Sequence, residues 1–146
     1  MALTNIMSAR DEIIDVLRAK LPDYTKFILP LNAESEIEQN ANFSPAIFVR
    51  YAGHGAIEQA GDSQSTKQEM RIIVALIYRD KRGAVYTDNQ AGQLILDIQV
   101  ALQGYRPAGY YKAINGSDVA APYQINEQGA MLYPIVFKCE FSLTRQ

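Results

Sequence analysis

The chain has 146 residues, of which 48% are hydrophobic and 21% charged, and its formal net charge is −2. This length and composition suit a single globular domain, residues 1–146, with its own core, and they argue against intrinsic disorder. The slight acidity argues against a dedicated nucleic-acid binder, and no apolar run approaches the ~20 residues that cross a bilayer.

The first predicted element is a helix over residues 5–20. Ile6, Ile13 and Leu17 recur at helical spacings, and Pro22 ends the pattern. Acidic side chains occupy the stretch where a signal peptide needs its apolar centre, so export by that route is not expected. These acidic residues are Asp11, Glu12 and Asp15.

Two strands with polar segments after them follow the first helix. Lys26–Leu31 predicts a short edge strand, because Pro30 would interrupt a central ladder. The polar residues 32–44 predict a surface loop, after which Pro45 opens a strand of sequence AIFVRYAG. The polar stretch Gly53–Lys67 predicts either a mobile loop or the tip of an extended hairpin.

Residues Glu69–Arg79 form the strongest strand pattern in the first half of the chain. Both alternating faces are apolar, which indicates a central strand covered on both sides or covered by a partner subunit. One face holds Ile72, Val74, Leu76 and Tyr78, and the other holds Ile73, Ala75 and Ile77. The next residues, Arg79–Gly83, predict a charged turn.

A second helix is predicted from Asp88, taken as its N-cap, to the residues before Gly104. Its apolar stripe consists of Ala91, Leu94, Ile95, Ile98 and Leu102. Gly104 suits a left-handed residue just past the helix end, and Pro107 blocks continuation.

Two or three strands complete the chain: Tyr110–Ile114, Ala121–Asn126 and Ala130–Leu143. The last alternates with period two, with Tyr133, Ile135, Phe137, Cys139, Phe141 and Leu143 on one face. The predicted fold class is α+β, in the order α-β-β-β-α-β-β-β. An antiparallel or mixed sheet with both helices on one face is the economical arrangement.

No recognisable catalytic constellation is present in the sequence. The lone histidine, His54, lies between two glycines, and carboxylates alone would have to complete a metal site with it. Cys139 fits a buried structural thiol. The carboxylate pairs Asp11–Glu12 and Glu36–Glu38 are interpreted as solvated charge. Phosphate-loop, dinucleotide and nucleophile-elbow motifs do not occur, so we expect no catalytic, cofactor-binding or metal-binding residues.

Two features predict contacts with other molecules. The charged turn carries Arg79, Lys81 and Arg82, which suit phosphate, lipid headgroups or an acidic protein surface, although a plain solvated turn is the simpler interpretation. The chain has nine tyrosines and no tryptophan, and tyrosine is common at protein interfaces. Ordinary strand tyrosines on a partly exposed sheet would give the same pattern.

Five segments together resemble the Mu-like phage tail terminator proteins. They are DEIIDVLRAKLP, PAIFVRYAGHG, RIIVALIYRDKRGA, LILDIQVALQGYRPAG and YPIVFKCEFSL, and they span most of the chain. The helix exit ALQGYRP is the most specific of them, with Tyr105 at a position where relatives carry an aromatic residue, often tryptophan.

The resemblance implies a structural subunit without catalytic residues or cofactors. It implies a ring, expected to be a hexamer, on the head-proximal end of the tail tube, where it stops tube and sheath growth and offers a surface for joining the head. The implied partners are other copies of the chain, the tail tube protein and the head–tail connector, with no membrane and no nucleic-acid specificity. The implied location is the virion tail, after assembly in the host cytoplasm.

Assembly candidates are Arg79, Lys81, Arg82, Tyr105 and Arg106. Two other interpretations stay open at the level of sequence. One is a head-completion protein, a connector or a tail tube subunit, and the other is a small cytoplasmic enzyme or binding domain.

Overall fold

The computed structural model describes residues 3–31, 45–59, 65–79, 82–125, 127 and 129–144. The helices are α1 (Ser8–Lys20) and α2 (Ala84–Leu102), with a 3₁₀-helix at Pro22–Phe27. The strands are β1 (Ile28–Pro30), β2 (Ala46–Gln59), β3 (Ser65–Tyr78), β4 (Ser117–Val119), β5 (Tyr123–Gln124) and β6 (Met131–Thr144). The polar segment 32–44 lies outside the described residues.

The strands form one mixed sheet in the order β1-β2-β3-β6-β4, with β5 also pairing with β6. Only the pairing of β1 with β2 is parallel among the described strands. Strand β3 is central and β1 lies at an edge, where Pro30 removes no interior hydrogen bond. The predicted α+β class and the edge position of the first strand are confirmed.

Both helices pack on one face of the sheet and against each other. The main core joins Ile13 and Leu17 of α1 to the stripe of α2 and to Ile72, Val74 and Leu76 of β3. Four of the five predicted stripe residues are buried, and Ile95 is partly buried. The 3.6-residue period of α2 therefore identified its buried face correctly.

The opposite face of the sheet carries a second, smaller cluster. Phe48, Ala75, Ile77 and Leu132 are each at most 4% exposed. This confirms that β3 is buried on both faces over part of its length. Toward the start of β3 the same face becomes polar, with Lys67 exposed. Burial on both faces therefore applies to the end of β3 that contains Ala75 and Ile77.

The interpretation of Gly53–Lys67 as a mobile loop is wrong. Strand β2 continues to Gln59 and β3 begins at Ser65, so the hairpin alternative holds, and residues 60–64 lie outside the described part. Register shifts interrupt the pairing between Tyr51 and His54 and again between Ala56 and Glu58. Such bulges break the period-two alternation that marks a strand in sequence.

The segments between α2 and β6 also differ from prediction. Tyr110–Ile114 is not a strand, since Lys112 forms only an isolated bridge to Glu140. Strand β4 lies farther on and was not predicted, because three residues with one apolar side chain carry too weak a pattern.

The predicted N-cap of α2 is wrong as well. The helix begins at Ala84, after Gly83 with φ +120°. Asp88 lies in the second turn, where its Oδ1 accepts a 2.6 Å hydrogen bond from the hydroxyl of Tyr133. This contact joins residues 45 positions apart, and local sequence does not reveal it.

The predicted end of α2 is confirmed. Gly104 has φ +80° and follows Gln103 at φ −60° and ψ 124°. The N–H of Tyr105 donates to the carbonyl of Leu102 over 3.1 Å. These are the features of a type II turn, which favours glycine at its third residue.

We expect Gly104→Val to lower the free energy of unfolding by about 1 kcal/mol, because a β-branched residue resists a positive φ. A Cβ at Gly104 meets no heavy atom within 4 Å, so the loss is conformational. Gly92→Ala is the matched control, since it places alanine inside α2 and should stabilise by about 0.5–1 kcal/mol. Urea unfolding of both variants measures the contrast, and equal midpoints would contradict it.

Candidate functional site

Residues 103–116, which follow α2, are called the exit loop, and the Glu12 carboxylate of α1 accepts hydrogen bonds from this loop. Glu12 Oε1 accepts a 2.8 Å hydrogen bond from the hydroxyl of Tyr105, and the N–H of Ala108 lies 3.1 and 3.2 Å from the two Glu12 oxygens. The interpretation of Glu12 as solvated charge is therefore wrong. Its neighbour Asp11 is 61% exposed and pairs only with Arg10 in the described structure.

Close packing and further hydrogen bonds fix the rest of the exit loop. Gly109 has φ +86°, and a Cβ there would lie 2.9 Å from the Cα of Leu3. Pro107 is buried, and the buried Tyr110 donates its hydroxyl to Met70 Sδ over 3.1 Å. The N–H of Gly104 donates to the carbonyl of Ile114 over 2.7 Å. The backbone of the loop is therefore held in place by the fold.

Burial and the Glu12 carboxylate raise the pKa of the Tyr105 hydroxyl to about 12. Burial, a hydrogen bond to Asp88 and its negative charge likewise raise the pKa of Tyr133, and burial raises that of Tyr110. These hydroxyls stay protonated at neutral pH and act as hydrogen-bond donors within the fold.

The outer side of the exit loop forms an open cleft of 420 Å³ lined by residues 106–111. Arg106 is exposed at this cleft, and its guanidinium has no ion pair or side-chain hydrogen bond within the described structure. Tyr111 is 44% exposed beside it. Tyr105, the neighbouring candidate, instead turns its hydroxyl inward to Glu12, so the two candidates from ALQGYRP occupy different positions.

The charged turn lies at the other end of α2. Arg79 and Arg82 are exposed, and Lys81 falls outside the described residues. Helix α2 has 19 residues and is therefore about 28 Å long. The four described candidates thus form two groups at opposite helix ends, and the role of all five in assembly stays a prediction.

The structure places His54 within β2, which corrects its interpretation as a loop residue. Its Nδ1 is hydrogen-bonded to the hydroxyl of Tyr51. The centroids of its ring and of the Phe141 ring are 5.6 Å apart. The described residues contain no cluster of three or more potential metal ligands. No helix within those residues has the length and apolar character needed to cross a bilayer.

Cys139 is buried, as predicted, and burial raises the pKa of its thiol to about 12. A raised pKa means that the fold favours the protonated thiol, so this contribution to stability is present at neutral pH and is lost as pH rises toward 12. We expect less than ~5% alkylation by iodoacetamide in an hour at pH 8, and full alkylation in denaturant, because the thiolate is the nucleophile. Mass spectrometry measures both, and rapid labelling of the folded protein would contradict the assignment.

The family model of the phage tail terminator protein matches residues 4–146, which confirms the family that the sequence motifs resemble. No curated protein matches the chain in sequence.

Two solved structures are similar to the chain. A chain from the virion of a native gene transfer agent particle is 11% identical and aligns with a TM-score of 0.55, over 94% of this chain and 99% of that one. At that identity the likeness concerns the fold. A second structure, 15% identical, aligns with a TM-score of 0.47 over 90% of this chain and 94% of that one.

Proposed function

Because the chain belongs to the phage tail terminator protein family, we propose that it forms a ring on the head-proximal end of the tail tube. There it stops polymerisation of the tube and sheath and provides the surface that joins the head. The observation that carries this proposal is the family match over residues 4–146, nearly the whole chain.

The shape of the domain supports a mechanism based on assembly geometry. A ring forms when one surface of a subunit binds a different surface of the next and the rotation closes. The sheet offers two different edges for this, with β1 on one side and β4, β5 and the exit loop on the other. On the outer side of α2, Leu96 is 57% and Val100 75% exposed. Exposed apolar side chains of this kind suit contacts in an assembly.

The proposed partners are other copies of the chain, six in the complete ring, together with the tail tube protein and the head–tail connector. The protein acts without a catalytic residue or cofactor. It assembles in the host cytoplasm and resides in the virion tail.

A tube-capping assay tests this function. Purified protein is added to growing tail tubes at ~1:50 to the tube subunit, and tube length and end structure are recorded by electron microscopy. We expect elongation to stop and one end of each tube to carry a ring, whereas heat-unfolded protein leaves growth unchanged. Long tubes made of this protein alone would identify a tube subunit, and tubes that elongate unchanged would overturn the proposal.

A further inference from the structure

The sheet separates two exposed groups of side chains. At one edge, the N–H of Tyr111 donates to the carbonyl of Glu140 over 3.2 Å, which places the exit loop beside β6 on the side away from β3. At the other edge, β1 pairs with β2 on the side away from β3. Four backbone spacings of ~4.8 Å separate these edges by about 19 Å. The two edges therefore face different neighbours in any head-to-tail arrangement.

The edge at β6 presents a cation beside an aromatic ring. Arg106 and Tyr111 line one cleft, and no described residue neutralises the Arg106 guanidinium. Arginine and tyrosine are enriched among the residues that dominate binding energy at interfaces. Glu12 and Leu3 hold the loop backbone beneath them, and such preorganisation reduces the entropy lost on binding.

The edge at β1 presents the complementary chemistry. Asp23 is exposed in the 3₁₀-helix that leads into β1, and its carboxylate has no ion pair or hydrogen bond to other described residues. Leu29, in the middle of the edge strand β1, is 39% exposed. This side of the sheet thus offers an exposed carboxylate and an exposed apolar side chain, which a guanidinium and a tyrosine ring can bind.

We infer that the cleft at Arg106 and Tyr111 of one copy receives Asp23 and Leu29 of the next copy. The guanidinium pairs with the carboxylate, and the tyrosine ring covers the leucine. This inference rests on the proposed ring and names the subunit contact within it.

The arrangement fits a closed ring better than a symmetric pair of subunits. A two-fold contact would have to form the pair twice, Arg106 to Asp23 and Asp23 to Arg106 of the same partner, and groups at opposite edges of the sheet do not both face one neighbour. A contact between opposite edges leaves one edge of each subunit free for the next copy, until rotation closes the ring.

A charge swap tests the contact. Arg106→Asp and Asp23→Arg are each expected to reduce capped tube ends by at least ~tenfold, a loss of ~1.4 kcal/mol per contact. The double variant Arg106→Asp/Asp23→Arg is expected to return to within ~threefold of the wild type. Lys67→Asp, the reversal of an exposed cation on the central strand β3, is the control and should leave capping unchanged. Thermal melts should agree within ~2 °C, because the residues are exposed.

Cysteine crosslinking gives a second, independent readout. The double variant Tyr111→Cys/Leu29→Cys, at high concentration and under mild oxidation, should form disulfide-linked ladders of two or more copies. The ladders should form both in the presence and in the absence of tube protein. The single native cysteine, Cys139, is buried and does not contribute. Tyr111→Cys combined with Ile57→Cys, at another exposed apolar residue, is the matched control and should give no ladder.

The outcomes separate the contact from the function. Wild-type capping with no charge-swap rescue and no ladder would overturn the contact and leave the proposed function standing. A ladder without capping would support the contact between copies and overturn the function. Two-fold self-association through this cleft predicts a disulfide from Tyr111→Cys alone that stops at dimers, and that result would overturn the head-to-tail arrangement.

Discussion

Gly109→Ala is expected to lower the free energy of unfolding by about 2–5 kcal/mol. At φ +86° an L residue loses roughly 1–2 kcal/mol. The new Cβ would also lie 2.9 Å from the Cα and 3.1 Å from the backbone nitrogen of Leu3. Backbone atoms cannot turn aside as a flexible side chain can, so overpacking adds about 1–3 kcal/mol. Urea unfolding followed by circular dichroism measures the loss.

Gly116→Ala separates the two causes. Gly116 has φ +100°, and a Cβ there meets no heavy atom within 4 Å. This variant therefore carries the conformational loss alone and should destabilise by roughly 1–2 kcal/mol. Equal losses at the two glycines would show that the Leu3 segment moves aside freely, and the close approach would then contribute nothing to stability.

Elements with a regular hydrophobic period were predictable from sequence. The stripe of α2 and the alternation of β6 both identify buried faces, since period alone decides which side chains point to the core. Leu143 is the exception on β6. It is 50% exposed although it shares the apolar face, because it lies near the end of a strand that is 14 residues long. The sequence of a strand does not show how far along its length the helices cover its apolar face.

Contacts between distant residues were not predictable. Glu12 and Tyr105 lie 93 positions apart, and a carboxylate on a helix flank reads as solvated in the sequence. Within the candidate site, the motif ALQGYRP identified Tyr105 and Arg106 as candidates. Only the fold shows that the Tyr105 hydroxyl points inward to Glu12 and that Arg106 is exposed. Asp23 and Leu29 gave no signal, because their significance depends on the position of β1 at the sheet edge.

Glu12→Ala is expected to destabilise the fold by about 1.5–3 kcal/mol, the range for hydrogen bonds to a charged acceptor. The hydroxyl of Tyr105 and the N–H of Ala108 both lose their acceptor. Asp11→Ala, the neighbouring exposed carboxylate, is the matched control and should change stability by less than ~0.5 kcal/mol. A double-mutant cycle with Tyr105→Phe should give a coupling of about 1 kcal/mol. A coupling near zero would contradict the contact.

The same substitution connects stability to assembly. Ala108 follows Arg106 by two residues, so releasing its N–H frees the backbone that presents the cleft to the next subunit. If Arg106 works through a preorganised loop, Glu12→Ala should impair tube capping at temperatures well below its unfolding transition. Ile77→Val, a core substitution on the opposite face of the sheet that should cost about 0.5–1.5 kcal/mol, leaves the exit loop untouched and should cap normally. Parallel capping losses in the two variants would mean that capping follows global stability, and the Glu12 contact would then have no separate part in assembly.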